Sequence, residues 1–191
     1  MAAQSLLVSG SFPLPSVNQI IKEAGVAKGT VYLYFESKEE IYLSLLSKYF
    51  ITFEGNIMRL MDKATEDNFQ QALIDAYIAF AKNAPKGVYL ACIAPLILES
   101  NLSDEFISRF KTEIRDLTFR ILEKVASIAE EFDLNELRIK FLLSYNLFLG
   151  TWQHCHPPKN VLRVLEDEGL DSILYDFEKE FSRGHRAIWK N

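Results

Sequence analysis

The sequence predicts an all-α chain, and three observations carry that reading. Apolar residues recur at spacings of three and four rather than two. No Asn-Gly or Asp-Gly turn separates alternating runs, as a β-hairpin would require. Three tetrapeptides have the capping-box form, in which a short polar side chain accepts from the first free N–H groups and a Glu or Gln three residues on reaches back. They are Ser16-Val17-Asn18-Gln19, Ser37-Lys38-Glu39-Glu40 and Asp133-Leu134-Asn135-Glu136.

Taken in order, helices are expected over 2–9, 17–24, 27–35, 38–63, 68–83, 86–99, 104–131, 134–155, 159–167 and 170–189. The first is the short apolar run Ala2 to Ser9. The second starts at the Ser16 cap and stops at Ala24-Gly25, where glycine supplies a left-handed C-cap. The third follows within a residue or two, which makes the pair a helix-turn-helix. Ser37 opens the fourth. Pro95 lies inside the sixth and should kink it by removing one backbone bond. Asp133 opens the eighth, which ends before Pro157. The last carries Leu170, Ile173, Leu174, Phe177, Phe181, Ile188 and Trp189 on one broad stripe.

The composition limits the function classes. A chain of 191 residues that is 49% hydrophobic with net charge -5 can bury a core, and is neither disordered nor low-complexity. Cys92 and Cys155 lack a C-x-x-C spacing and suit a reducing compartment. No Lys or Arg precedes the apolar stretch in Met1 to Gly10, so a secretory signal is not expected and the cytoplasm is. Phe141 to Pro158 is uncharged, but its Ser, Asn, Thr, Gln and His residues indicate a helix buried in protein rather than a membrane span.

Unrolled at ~100° per residue, the third helix turns Val31 and Phe35 to the core. Gly29, Thr30 and Leu33 face the opposite way, flanked by Tyr32 and Tyr34, with Lys28 and Lys38 at either end. A face that is small at its N-terminus and hydroxyl-bearing at its flanks suits a DNA groove bordered by phosphates. The acidic total does not oppose this. Residues 1–50 hold Lys22, Lys28, Lys38 and Lys48 against Glu23, Glu36, Glu39 and Glu40, so the whole -5 lies in the rest of the chain.

Ser16-Val17-Asn18-Gln19-Ile20, the run Ala24 to Phe35 and Ser37-Lys38-Glu39-Glu40 closely resemble the DNA-binding domain of TetR/AcrR-type transcriptional regulators. The resemblance covers about the first 45 residues. It implies a DNA-binding domain over 1–47, a ligand-binding and dimerisation domain over 48–191, and a homodimer on a palindromic operator that releases the DNA when a small molecule binds. By position it assigns DNA contacts to Ser16, Asn18, Lys28, Gly29, Thr30, Tyr32, Leu33, Tyr34 and Lys38. Leu33 has no hydrogen-bonding group, so it reads a thymine methyl or shape. The sequence departs from the family in four places. Ala2 to Ser9 supplies only the second half of the usual first helix, with Gly10 and Phe12 at its ending positions. Ile21 is bulkier than the usual alanine, Glu23 replaces a frequent base, and Ala27 offers no side-chain cap.

A homodimer is expected through the helices near 134–155 and 170–189, because the first is apolar nearly all round. An apolar or aromatic effector is expected beside the Pro95 kink, with Tyr77, Phe80, Tyr89, Cys92, Phe110, Tyr145 and Trp152 as its contacts and Phe119 and Phe148 nearby. His154-Cys155-His156 gathers three potential ligands, but neighbours at i and i+2 point apart on a helix, so no metal is expected. No cofactor or catalytic motif is present. Two other readings remain open: an interaction module of this fold that no longer binds DNA, and a helical-bundle metal-binding protein.

Overall fold

A computed structural model describes residues 2–9, 11 and 13–190. The Gly10 and Phe12 positions expected to end the first helix lie outside them. Among the described residues the fold is all-α, with no strand. The helices are α1 (Ala2–Leu6), α2 (Val17–Ala24), α3 (Lys28–Tyr32), α4 (Lys38–Met61) and α5 (Phe69–Asn83), then α6 (Pro85–Ile93), α7 (Asp104–Ala126), α8 (Leu134–Cys155), α9 (Lys159–Asp167) and α10 (Phe177–Ile188).

The three caps work, in different ways. Ser16 forms the full reciprocal box with Gln19. Ser37 accepts from the Glu40 N–H at 3.2 Å, but the Glu40 carboxylate reaches one residue further back, to the Glu36 N–H at 2.8 Å. Asp133 accepts from the Glu136 N–H at 2.8 Å. Gly25 ends α2 at φ 65°, a left-handed conformation that costs glycine nothing, and donates to the Ile21 carbonyl.

Several boundaries differ from expectation. Regular helix in α3 stops at Tyr32, although the Phe35 N–H still bonds the Val31 carbonyl at 3.0 Å. Past Pro95 the chain widens into a π turn over Ala94–Leu98, and the Glu99 N–H reaches back five residues to Ala94. The expected kink takes this form because proline has no N–H to continue the α ladder. α7 ends at Ala126 rather than 131. The chain leaves the helix there and buries Ala129 and Phe132, the latter with its ring edge-on to Phe69 and Trp189. α10 begins at Phe177, not 170, because Gly169 at φ 66° closes α9 and Asp176 caps the last helix by accepting from the Lys179 N–H. Leu170 and Ile173 therefore leave the apolar stripe and stand half exposed around a short 3₁₀ turn, Asp171–Ile173.

α4 is the spine. Its first half seats α1 to α3 through Leu7, Leu14, Ile20, Ile41 and Tyr42, and its second half packs on α5, α6 and α7. In the larger core the Tyr77 ring lies 5.0 Å from Phe53, 5.0 Å from Phe148 and 5.2 Å from Phe181. Phe181 and Trp189 are thus spent inside the chain, and most of the apolar stripe of α10 closes its own core. α8 differs, leaving Ile139, Leu142 and Leu143 about half exposed. Among the described residues no helix is long and apolar enough to cross a membrane.

Candidate nucleic-acid interface and effector cavity

α2 and α3 meet across the Gly25 turn, and the sequence-predicted face is built there. Lys28, Gly29, Thr30, Tyr32, Leu33 and Tyr34 are exposed, while Val31 and Phe35 turn in and pack against the core. Leu33 is 81% and Tyr34 73% exposed, values that folding alone does not explain for large apolar side chains. The Lys28 ammonium sits 5.6 Å from the centre of the Tyr32 ring, a contact that orients both side chains. Ser16 and Asn18 are exposed at the start of α2, and Lys38 is half-buried at the start of α4, 3.8 Å from Glu39. Ala27 provides no side-chain cap, as the sequence indicates, and the Thr30 N–H bonds the Ala27 carbonyl at 3.0 Å instead.

The unit formed by α1 to α3 is tied to the rest of the chain by groups that sequence inspection missed. Lys86 donates to the Gln4 carbonyl at 2.7 Å, the Tyr89 phenol to the Ser11 carbonyl at 2.9 Å, and the Tyr42 phenol to the Pro15 carbonyl at 3.2 Å. Burial raises the Tyr42 phenol to about 12, so it stays protonated as a donor. These pairs are 82, 78 and 27 residues apart, and no local signal announces them.

Behind the head lies a cavity of about 300 Å³. Leu46, Phe50 and Phe53 of α4 form one wall, and Ala91, Ala94 and Pro95 form the next. Phe110, Ile114, Leu117 and Thr118 of α7 and Phe141, Leu142 and Tyr145 of α8 complete it. Its charged lining groups are Glu99 and Lys111, which pair at 2.6 Å, and Arg138. Burial raises the Tyr145 phenol well above its ordinary value, so it can offer a hydrogen bond but no charge. Of the seven expected ligand contacts the cavity brings together Phe110 and Tyr145. Tyr77 and Phe80 are buried in the core on the far side of Phe53. Tyr89 serves the head joint, Cys92 faces the Leu149 carbonyl, and Trp152 stacks on His156 at 4.6 Å. Burial pushes the Cys92 thiol up to about 11, which leaves it inert. His154 lies 2.9 Å from the Ile173 carbonyl and His156 2.8 Å from that of Trp152, so each has a protein partner.

Comparison with known proteins decides the family. Residues 2–45 match the model for bacterial regulatory proteins of the tetR family, and residues 42–190 match the tetracyclin repressor-like C-terminal domain. The chain belongs to the tetR family. It is a TetR-family transcriptional regulator, a class of DNA-binding regulators rather than enzymes. The HTH-type transcriptional regulator YfiR of Bacillus subtilis is 30% identical over 182 residues, 94% of this chain and 79% of its own. The fatty acid metabolism regulator protein of Bacillus subtilis is 43% identical over 47 residues, 25% of this chain and 24% of that protein. The HTH-type transcriptional activator FasR of Mycolicibacterium smegmatis is 27% identical over 92 residues, 47% and 42% of the two chains. With the TetR family established, the exposed face of α3 is its recognition surface candidate, and the cavity is enclosed by residues of the C-terminal match and adjoins α4.

Proposed function

We propose that this TetR-family regulator is a repressor that binds a palindromic operator as a homodimer and releases it when an apolar or aromatic small molecule fills the cavity against α4. Residues 1–47 act as the reading head and 48–191 as the sensor. The observation that carries the reading is the divided α3: Val31 and Phe35 hold it to the core while Thr30, Tyr32, Leu33 and Tyr34 stand free. Ser16, Asn18, Lys28, Tyr32, Tyr34 and Lys38 bond phosphates or base edges, Gly29 admits the backbone, and Thr30 and Leu33 face the bases. Such a protein acts on DNA in the cytoplasm.

The effector class follows from the mainly aliphatic and aromatic cavity wall, with Phe110 and Tyr145 as contacts among those expected from the sequence. One relative is named for fatty acid metabolism, an apolar chemistry in keeping with that wall, although its match spans a quarter of this chain. The decisive experiment is a binding titration on DNA upstream of the protein's own gene, over a salt series, with a reporter fused to the same promoter. Affinity should fall steeply with salt and reporter output should rise when the gene is deleted. Equal affinity of the Tyr32→Ala, Lys38→Ala double variant for that DNA rejects the reading, and reduced reporter output on deletion makes the protein an activator instead.

A further inference from the structure

Among the described residues, three buried side-chain atoms find no hydrogen-bond partner in the protein: the Tyr77 hydroxyl and both ring nitrogens of His185. Both residues are fully buried, and their rings lie 6.1 Å apart. A buried phenol ordinarily bonds its O–H, because an unpaired one gives up its bond to water without replacement. A phenylalanine in place of Tyr77 would fill the same ring space among Phe53, Phe148 and Phe181 without that cost. The Tyr77 hydroxyl therefore calls for a partner that the fold around it does not supply. Next to it lies the effector cavity. Two of the rings packed on Tyr77, those of Phe53 and Phe141, also line that cavity. Phe53 is held from behind by Phe80, 4.9 Å away, as well as by Tyr77. Phe141 is held less firmly: Tyr77, at 6.3 Å, is its one aromatic neighbour among the described residues. Tyr145, one turn further along α8, lines the cavity as well, close enough to add to the rise that burial imposes on the Tyr77 phenol.

We propose that Tyr77 is a hidden contact of the effector site: the effector turns the Phe141 ring aside and places an uncharged carbonyl group, carried on an apolar body, where it accepts from the Tyr77 hydroxyl. The inference rests on the cavity reading given above and names the polar group that the effector carries. A ligand that satisfies a buried donor makes dominant a conformation that is minor without it. The group is a carbonyl because an oxygen with two lone pairs can accept from Tyr77 and Tyr145 together. It is uncharged because a carboxylate in that place would be buried without a cation. Lys111 is taken by Glu99 at 2.6 Å, and Arg138 is exposed and bonds Asn135 at 3.0 Å. Burial raises the Tyr145 phenol and Glu99 is among the groups that raise it further, so the charge felt at that hydroxyl is already negative.

Three probes of nearly equal size provide the test: benzylacetone, a ketone; isopentylbenzene, its hydrocarbon counterpart; and hydrocinnamate, its carboxylate counterpart. Binding to the full chain is measured by equilibrium dialysis. Tyr77→Phe should weaken benzylacetone about tenfold, the loss of one hydrogen bond, while isopentylbenzene binds both proteins alike. Hydrocinnamate should bind the wild type about tenfold more weakly than benzylacetone, or worse. Without ligand, Tyr77→Phe should unfold about 3 °C higher than the wild type, the scale for removing one unpaired hydroxyl from a chain of this size. A variant that is more stable and yet binds the ketone more weakly has lost a contact, not its fold.

Benzylacetone bound equally by the wild type and Tyr77→Phe overturns the inference and leaves the cavity reading standing. So does an equal loss of benzylacetone and isopentylbenzene in that variant, which is the mark of repacking. A Tyr77→Phe protein that unfolds below the wild type without ligand shows the hydroxyl bonded inside the fold, by a buried water for example, and overturns the inference too. Hydrocinnamate bound as tightly as benzylacetone overturns the uncharged group. A wild type that binds neither benzylacetone nor isopentylbenzene overturns the cavity reading and the inference together.

Discussion

The Trp189 indole N–H donates to the Ser144 hydroxyl at 2.9 Å in the buried seam between α10 and α8, and that hydroxyl in turn donates to the Lys140 carbonyl at 2.8 Å. Lys140 completes the seam by donating to the Ile188 and Lys190 carbonyls at the end of α10. An uncapped helix terminus is thereby satisfied by a side chain from its neighbour. Ser144→Ala removes the acceptor and leaves the indole N–H buried without a partner, which costs about 1–3 kcal/mol. Urea unfolding should show that loss in its midpoint with the slope unchanged, while operator affinity at low temperature stays at the wild-type value.

His185 gives a pH dependence. It is fully buried in the same seam, stacked on Trp189, with no hydrogen-bond partner for either ring nitrogen. Burial, aided by the Arg186 charge, lowers it from 6.5 to about 4. Between those values the unfolded chain binds a proton that the folded chain does not, so stability falls as pH drops from 6.5 toward 4 and levels off below. The lost stability is on the order of 3 kcal/mol. Thermal unfolding at pH 7.5, 5.5 and 4.5 should show this slope in the wild type and a shallower one in His185→Phe.

On the reading face, Lys38→Ala should weaken operator binding on every sequence and reduce the salt slope by ~1, as expected for one lost phosphate contact. Leu33→Ala should instead relax discrimination at one base pair, because an apolar side chain contributes only methyl contact and shape. Neither side chain belongs to the buried core, so neither substitution should move the unfolding free energy by more than about 0.5 kcal/mol. Competition titrations against single-base operator variants separate the two effects.

Gly25→Ala tests the turn that sets α2 against α3. At φ 65° an alanine is strained whatever the space around it. A cost of about 1 kcal/mol is expected from backbone conformation alone. Hydrogen exchange should rise first in α2 and α3, with operator affinity falling alongside, while α5 to α10 keep their protection.

The reading head was legible because its signals are local. A cap acts over three residues, a left-handed glycine over one, and an inward pair such as Val31 and Phe35 over four. The stop at Gly169 was equally local, yet Leu170, Ile173 and Leu174 continue the helical spacing past it and conceal the break. The cavity was harder to read because α5 and α8 are apolar on more than one side, and spacing cannot say which apolar side faces a void. Tyr77 and Tyr145 look alike in the sequence. In the fold one is sealed among Phe53, Phe148 and Phe181 and the other borders empty space. Pro95 was the useful clue, since a backbone that cannot continue its ladder leaves its neighbours imperfectly packed.

The unbroken course of α4 from Lys38 to Met61 makes it a lever. Its 24 residues span about 36 Å, and the cavity wall at Leu46, Phe50 and Phe53 presses on it between about 12 and 22 Å from the Lys38 end. Glu40 clamps the Glu36 N–H to its first turn, so α3 is carried with the tip. A tilt of only ~5° about the Met61 end moves Lys38 by ~3 Å, as much as the whole length of a hydrogen bond to phosphate. At that gearing, repacking by less than the width of a methyl group beside the cavity would be enough to break a phosphate contact of the kind proposed for Lys38.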